Sequence, residues 1–154
     1  MKISIGSDHA GFEVKESLKQ VLEAAQHELV DVGTNGTDSC DYPDFAGRVG
    51  QSVAGGESER GVLICGTGIG MCITANKVPG VRAALVTDAF TSEMSRRHNN
   101  ANVFCAGARV LSLDMIEDCL HLWLKTPYEG GRHERRVGKI EGVREGEINR
   151  NYFF

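Results

Sequence analysis

The stretch "GVLICGTGIGMC", residues 61–72, joins a short apolar run to a turn made largely of glycine. The apolar run ends in Cys65, and glycines follow in alternation at positions 66, 68 and 70. A continuous apolar run of this length is typical of a strand buried on both faces of a parallel sheet. We therefore predict a strand over residues 61–65, a glycine turn, and a short helix over residues 70–77.

Four further apolar runs resemble this strand, and segments with helical periodicity separate them. The predicted strands are residues 3–6, 28–32, 61–65, 81–86 and 103–106. Apolar stripes at 14–22, 45–53 and 113–124 predict helices, with Pro43 in a first turn and Ser112 as an N-cap, and residues 88–98 predict another. This alternation predicts one α/β domain: a doubly wound, five-stranded parallel sheet with helices on both faces, a three-layer α/β/α sandwich.

Composition narrows the class of protein. The chain has 154 residues, of which 41% are hydrophobic and 25% charged, as in an ordinary globular domain. Its net charge of −4 argues against a general nucleic-acid or membrane-surface role, so an acidic ligand requires a local cluster of cations. The five cysteines include no Cys-x-x-Cys pair, and neither a signal peptide nor a transmembrane run is recognisable, so we expect a cytoplasmic protein.

The predicted strand ends indicate where a ligand binds. Residues 7–9, 65–70 and 107–109 each follow a predicted strand, and parallel sheets bind ligands beyond the carboxyl ends of their strands. Backbone N–H groups of a glycine turn that opens a helix attract anions. The turn lacks the Gly-Lys-Ser/Thr of a Walker loop, the G-x-G-x-x-G of a dinucleotide site and the arginine of a cysteine phosphatase.

Cys65 therefore has three interpretations: a base, a nucleophile, or a cysteine that only fills the core. A helix N-terminus favours the thiolate, and a thiolate beside N–H donors suits acyl transfer or proton abstraction next to a carbonyl. Cysteine is also commonly buried without any chemical role. This stretch alone leaves the three readings open.

Arginines provide the candidate cation cluster. The stretch "YEGGRHERR", residues 128–136, places Arg132 and Arg136 four residues apart, so that on a helix they would share a face, and Arg109 follows the last predicted strand. Several guanidinium groups around one point suit a phosphate. A solvated basic helix face is the alternative, and His9 and His98 are equally open to a surface interpretation.

Seven stretches match, in order, the pattern of the ribose-5-phosphate isomerase B family, which includes the galactose-6-phosphate isomerase subunits. They are "GSDHAGF" (6–12), "CDYPDFA" (40–46), "ICGTGIG" (64–70), "ANKVPGVRAAL" (75–85), "SRRHNNANV" (95–103), "GARV" (107–110) and "YEGGRHERRV" (128–137). The resemblance covers residues 2–140. It implies a doubly wound, metal-free and cofactor-free aldose–ketose isomerase that works as a dimer or a dimer of dimers.

The resemblance also implies roles for individual residues. Cys65 is similar to the base that moves a proton between C2 and C1, and His98 to the residue that opens the furanose ring. The backbone from Gly66 to Gly70 and the Thr67 hydroxyl would hold the enediolate oxygens. The remaining matches are sugar contacts at Asp8, His9, Tyr42, Gly66, Gly68, Ile69, Gly70 and Asn99, and a phosphate clamp at Arg109, Arg132 and Arg136.

Some family members carry a glutamate base just after the glycine turn, where this chain has Met71, which leaves Cys65 as the expected base. The substrate implied is ribose 5-phosphate, and the alternative substrate is a six-carbon sugar phosphate such as allose 6-phosphate or galactose 6-phosphate. The alternative function is that of a non-catalytic sugar-phosphate sensor. No His/Cys/carboxylate spacing resembles a metal site.

The resemblance implies a homo-oligomer whose active site is shared between subunits, and we expect His98 to face Cys65 of a second copy. The "SRRHNN" stretch fits this expectation because it ends a helix some distance along the rim from the glycine turn. The tail over residues 142–154 ends in aromatic side chains and either contacts a neighbouring subunit or is a loose end.

Overall fold

The computed structural model describes residues 1–143. Its sheet has five parallel strands in the order β2-β1-β3-β5-β4. The strands are β1 (Lys2–Ser7), β2 (Glu28–Asp31), β3 (Arg60–Cys65), β4 (Ala83–Leu85) and β5 (Val103–Gly107). The predicted five-stranded parallel sheet is therefore confirmed.

Helices cover both faces of this sheet. They are α1 (Phe12–Ala24), α2 (Tyr42–Ala54), α3 (Ile69–Ala75), α4 (Ala89–Arg97), α5 (Leu113–Lys125) and α6 (Arg132–Gly142), with a 3-10 turn over His9–Gly11. Apolar side chains of α1 and α5 form one core layer with the sheet, and those of α2 and α3 form the other. α4 lies beside α5, where the Ser92 hydroxyl donates to the Cys119 carbonyl over 2.7 Å.

One predicted strand is longer than the observed one, and one observed helix was not predicted. β4 is three residues long rather than six, because it is an edge strand whose outer side meets a side chain instead of a strand. The Asn76 amide accepts from the Ala83 N–H and donates to the Ala83 carbonyl, both over 2.9 Å. The helix α6 shows no apolar stripe in the sequence, since charged residues dominate it.

The connections leave a crevice at one end of the sheet. After β1 the chain moves toward β2 at one edge of the sheet, and after β3 it moves toward β4 at the other edge. The loops after β1 and β3, which are neighbouring strands, therefore diverge. Ser7 pairs with Ile64, and Cys65 pairs with Gly107, which aligns the carboxyl ends of three neighbouring strands. The prediction that residues 7–9, 65–70 and 107–109 share one rim is confirmed.

A fully buried lysine fixes the loop that follows β2. The Lys15 ammonium contacts the Asp31 carboxylate at 2.7 Å, the Glu16 carboxylate at 2.9 Å and the Thr34 carbonyl at 2.9 Å. Lys19 contacts the same Asp31 oxygen at 2.8 Å but keeps a quarter of its side chain exposed. Burial would raise the pKa of Asp31, but the two lysines and the Gly33 N–H outweigh it and lower that pKa.

The predicted tail over residues 142–154 lies, from residue 144 onward, outside the described residues. Within residues 1–143, none of the helices combines the length and the apolar character that a membrane crossing requires.

We predict that Lys15→Met lowers the free energy of unfolding by about 3 kcal/mol, because it leaves a half-buried carboxylate with one partner fewer. Lys19→Met is the matched control and should cost less than about 1 kcal/mol, because its ammonium is partly solvated. Because the pKa of Asp31 is lowered, the ion pair stabilises the fold at pH values above the ordinary pKa of a carboxyl group. This contribution is lost as the pH falls through the lowered pKa.

Urea titrations at pH 7 and pH 3 measure both effects. The difference between wild type and Lys15→Met should begin to shrink at pH 3, which lies below the ordinary pKa of a carboxyl group, and should shrink further as Asp31 becomes protonated in the folded protein. An equal loss from the two lysine variants at pH 7 would contradict the proposed importance of the buried ammonium.

Candidate active site

The turn after β3 presents a thiol to a backbone donor. The Gly68 N–H donates to the Cys65 sulfur over 3.1 Å, and Cys65 is only 5% exposed. This geometry requires glycine, since Gly68 has a φ of 78° and a Cβ there would lie 2.6 Å from the Leu85 side chain. The turn therefore holds the sulfur in a fixed position at the carboxyl end of β3, where it can act on a bound ligand as a base or a nucleophile.

The end of β5 holds Arg109 beside this turn. The Ala108 N–H donates to the Cys65 carbonyl over 2.8 Å, and the Arg109 N–H donates to the Gly66 carbonyl over 3.0 Å. The Arg109 side chain then lies over Gly66, where a Cβ would stand 3.5 Å from its Cδ. The hydrogen bonds that close the strand end therefore also place a guanidinium near the thiol.

The loop after β1 contributes a carboxylate and an imidazole. Asp8 Oδ1 accepts from the backbone N–H groups of Ala10 and Gly11, at 3.0 and 3.1 Å, and so caps the 3-10 turn. The Cys40 N–H donates to His9 Nδ1 over 3.2 Å. This bond assigns the proton of the neutral imidazole to Nε2, which becomes a donor for a ligand.

These elements surround a cavity of about 470 Å³. Its lining is Asp8, His9, Ala10, Tyr42, Cys65, Gly66, Thr67, Ile69, Gly70, Ile73 and Arg109. The Tyr42 ring lies so close to Gly70 that a Cβ there would be 2.6 Å from it. The structure thus brings together nine of the predicted site residues. Gly68 serves the turn itself, with its N–H directed at Cys65.

A second cysteine near this turn was not predicted as a functional residue. Donation from the Cys105 thiol lowers the pKa of Cys72, and burial raises the pKa of Cys105 well above its ordinary value. Cys72 also lies near the Ala83 carbonyl, 3.4 Å from its sulfur. Alkylation of this protein therefore has two candidate target thiols near the turn, Cys65 and Cys72, which peptide mapping must separate.

Four predicted site residues lie at the opposite end of the sheet. α4 runs antiparallel to the strands, so His98, at its C-terminus, lies near the start of β5, whereas Cys65 pairs with Gly107 at the end of β5. β5 is five residues long, which corresponds to about 16 Å. The expected position of "SRRHNN" along the same rim is therefore wrong: helix direction places it at the other rim.

Asn99, Arg132 and Arg136 share this second location. Asn99 lines a separate cavity of about 250 Å³ with Arg82 and Ile140. The helix that carries Arg132 and Arg136 begins against His98 and stays at this end, where Glu141 contacts Arg82 at 2.8 Å. The described residues of one chain therefore hold the predicted site as two separate halves.

His98 belongs to a cluster that the sequence analysis missed. Its ring stacks on His133 with centroids 4.2 Å apart and planes 6° apart, and the Glu129 carboxylate lies 3.7 Å from His98 Nε2 and 3.6 Å from His133 Nε2. Glu129 and His133 are four residues apart, which is a detectable signal, but only folding adds His98. Because the two rings are parallel, their nitrogen lone pairs do not point toward one common position, as the ligation of a tetrahedral metal ion requires.

A buried arginine orders the turn that carries His98 and Asn99. The Arg96 guanidinium donates to the Ala101 carbonyl, to the Thr126 carbonyl and to the Asn100 side chain, and it lies over the Trp123 ring. Burial, with smaller effects from nearby Arg60 and Arg82, lowers the pKa of Arg96 to about 10. The turn is thus held by hydrogen bonds from a buried cation rather than left as a surface loop.

Comparison with known proteins identifies the family. A sequence profile described as ribose/galactose isomerase matches residues 3–140. The chain belongs to the ribose/galactose isomerase family. Ribose-5-phosphate isomerase B of Escherichia coli is 42% identical to it over 142 residues, which are 92% of this chain and 95% of that protein.

Solved structures agree with this assignment to the isomerase family. Ribose-5-phosphate isomerase B of Clostridium thermocellum superposes with a TM-score of 0.94 at 48% identity, covering 95% of this chain and 99% of the other. The Mycoplasma genitalium enzyme, solved with bound ribulose-5-phosphate, gives a TM-score of 0.90 at 41% identity, covering 94% and 96%. The expected family and doubly wound fold are confirmed. In this isomerase-family chain Met71 is fully buried in the core and offers no second base.

Proposed function

We propose that this chain interconverts D-ribose 5-phosphate and D-ribulose 5-phosphate through an enediolate, with Cys65 as the base. The observation that carries the proposal is the cavity in which the Cys65 sulfur, held by the Gly68 N–H, lies with a carboxylate, an imidazole and a guanidinium. The assignment also rests on the family, whose curated and solved members include ribose-5-phosphate isomerase B. The unpaired cysteines fit a reducing, cytoplasmic setting.

The proposed isomerisation moves one carbon-bound proton. The Cys65 thiolate takes the proton from C2 of the open-chain aldose, and the resulting thiol returns it to C1 of the enediolate. Meanwhile the O2 hydroxyl loses its proton and O1 gains one, so the product is the ketose. Gly66 and Thr67 line the cavity, and in the proposal the Gly66 N–H and the Thr67 hydroxyl bind these oxygens as charge develops on them.

The phosphate is expected at the arginine side of the cavity. The guanidinium of Arg109 provides a bidentate donor, and the protonated Nε2 of His9 adds a further one. Arg132 and Arg136 complete this clamp in the proposal, although within one chain they lie at the opposite end of the sheet. The proposal therefore includes a second copy of the chain.

We propose that the complete site forms between two copies. The first half is the cavity around Cys65, and the second half consists of His98, Asn99, Arg132 and Arg136. Each copy carries one first half and one second half, at opposite ends of its sheet. When two copies pair symmetrically, the first half of each copy meets the second half of the other, and two complete sites form. In this arrangement His98 opens the furanose ring for the Cys65 of the other copy.

Cys65→Ala tests the base. It should lower turnover of ribose 5-phosphate by at least the 10²–10⁴-fold typical of positioned acid–base groups, while substrate affinity changes little because the arginines remain. Cys72→Ala is the matched control and should retain most of the activity, because its sulfur does not line the cavity. Steady-state kinetics with ribose 5-phosphate measure the turnover of both variants. The same measurements with allose 6-phosphate and galactose 6-phosphate give the substrate preference.

Three outcomes of this experiment would count against the proposal. Near-normal turnover by Cys65→Ala would rule out the cysteine base. A wild type that binds sugar phosphates without converting them would indicate a sensor. Preference for a six-carbon substrate would keep the chemistry and replace the proposed sugar.

The phosphate clamp is tested by alanine substitution of its arginines. Arg109→Ala and Arg132→Ala should each weaken productive binding roughly ten- to a hundred-fold, the effect of one charge-assisted hydrogen bond. Arg135→Ala, on the same helix as Arg132 but outside the proposed clamp, should have little effect. Competitive inhibition by inorganic phosphate gives the comparison, and unchanged inhibition in both clamp variants would show that the phosphate binds elsewhere.

Subunit mixing tests the shared site. Cys65→Ala and His98→Asn are each expected to be impaired on the cyclic substrate, but a mixed dimer has one site with both lesions and one with neither. Activity should therefore return after subunit exchange. Mixing Cys65→Ala with Arg109→Ala is the control, because both residues belong to the same half, so every site stays defective and no activity should return.

Native mass spectrometry establishes that heterodimers are present in both mixtures. Heterodimers of Cys65→Ala and His98→Asn that are no more active than their parents would contradict the shared site. Equal recovery in the control mixture would contradict the division of the site into these two halves.

A further inference from the structure

Glu129 is the carboxylate that faces both rings of the histidine stack. Its Oε2 lies 3.7 Å from His98 Nε2 and 3.6 Å from His133 Nε2. Because His133 Nε2 accepts from Arg132 Nε over 3.4 Å, His98 is the ring of the pair whose Nε2 is left to face the carboxylate as a donor. His133 is 5% exposed and fixes the plane of the His98 ring by stacking. The carboxylate and the stack together define where the His98 ring lies and which nitrogen is held.

The backbone places this carboxylate with little freedom. The Glu129 N–H donates to the Arg97 carbonyl over 3.0 Å, which ties the loop to the last turn of α4, one residue before His98. Gly130 and Gly131 follow with φ of 65° and 57°, values that favour glycine, and they turn the chain into α6. His133 then comes back over His98 within four residues of Glu129.

Glu129 carries a negative charge among cations, because the other charged side chains that face the two rings are arginines. Arg97 lies 3.6 Å from Glu129 and also pairs with Glu93 over 3.0 Å, and Arg132 Nε lies 3.4 Å from His133 Nε2. The groups facing the two rings from α4 and α6 are thus cations, and Arg136 adds another. Within residues 1–143, Glu129 is the carboxylate that contacts the rings, whereas Glu93 reaches only Arg97.

We propose that Glu129 is a positioning residue for His98 in the opening of the sugar ring. Ring opening removes the proton of the anomeric hydroxyl, breaks the bond between C1 and the ring oxygen, and protonates that oxygen. A carboxylate at His98 Nε2 favours a proton on this nitrogen and leaves Nδ1 to take part in the transfer. This inference rests on the proposed function, in which His98 opens the furanose.

Kinetics in the two directions of the reaction separate ring opening from isomerisation. Ribose 5-phosphate is largely cyclic, whereas ribulose 5-phosphate cannot close a furanose because its O5 carries the phosphate. Glu129→Gln should lower turnover of ribose 5-phosphate roughly ten- to a hundred-fold and turnover of ribulose 5-phosphate much less. Glu129→Asp should restore part of the loss, and Glu93→Gln, which removes the other carboxylate at Arg97, should change neither direction.

A double variant shows whether Glu129 acts through His98. In the His98→Asn background, Glu129→Gln should cause no further loss with ribose 5-phosphate, because the residue it positions is already gone. A further loss there, an equal loss in both directions, or the same loss in Glu93→Gln would overturn the inference.

The same measurements distinguish this inference from the proposed function. A wild type inactive on both pentose phosphates overturns the proposed function and the inference together. Full activity of His98→Asn on ribose 5-phosphate overturns the role of His98 and with it that of Glu129, while the isomerase assignment stands. A defect in His98→Asn that Glu129→Gln does not share overturns the inference alone.

Discussion

The close approach between the turn after β3 and the end of β5 is the constraint on which the candidate site depends. A Cβ at Gly68 would lie 2.8 Å from the Ala106 carbonyl carbon, and a Cβ at Gly107 would lie 2.6 Å from that of Thr67. Two glycines therefore let one backbone lie against another, and hydrogen bonds from residues 108 and 109 close the contact. The same contact turns the Gly68 N–H toward Cys65 and holds Arg109 beside it.

The direction of the helices explains why the two halves of the proposed site lie at opposite rims of one chain. In a parallel sheet every crossover helix runs back against the strands, so a residue at the end of a helix lies at the rim opposite to a residue at the end of a strand. Cys65 ends a strand and His98 ends a helix. Any chemistry that uses both residues on one small sugar therefore requires a second copy of the chain.

Charge is distributed unevenly in this acidic protein. The net charge is −4, yet arginines gather at the proposed ligand surfaces and a buried arginine and a buried lysine anchor loops. Arg96 anchors the turn of His98 through carbonyl groups, and Lys15 anchors the loop after β2 through the Thr34 carbonyl and through Asp31 at the end of β2. The buried cations thus fix loops of the backbone, whereas the arginines of the proposed clamp are left to bind phosphate.

The sequence alone determined the five-stranded parallel sheet and the residues around Cys65, because apolar periodicity and glycine spacing are local properties of the chain. The family came from the resemblance of seven stretches of the sequence. The short edge strand β4, the charged helix α6 and the His98–Glu129–His133 cluster emerged only from tertiary structure. Each depends on contacts between residues far apart in sequence: Asn76 with Ala83 at the sheet edge, and His98 with Glu129 across a helix. The position of His98 at the opposite rim is different, because the predicted parallel sheet and the predicted helix over residues 88–98 already imply it through the direction of a crossover helix.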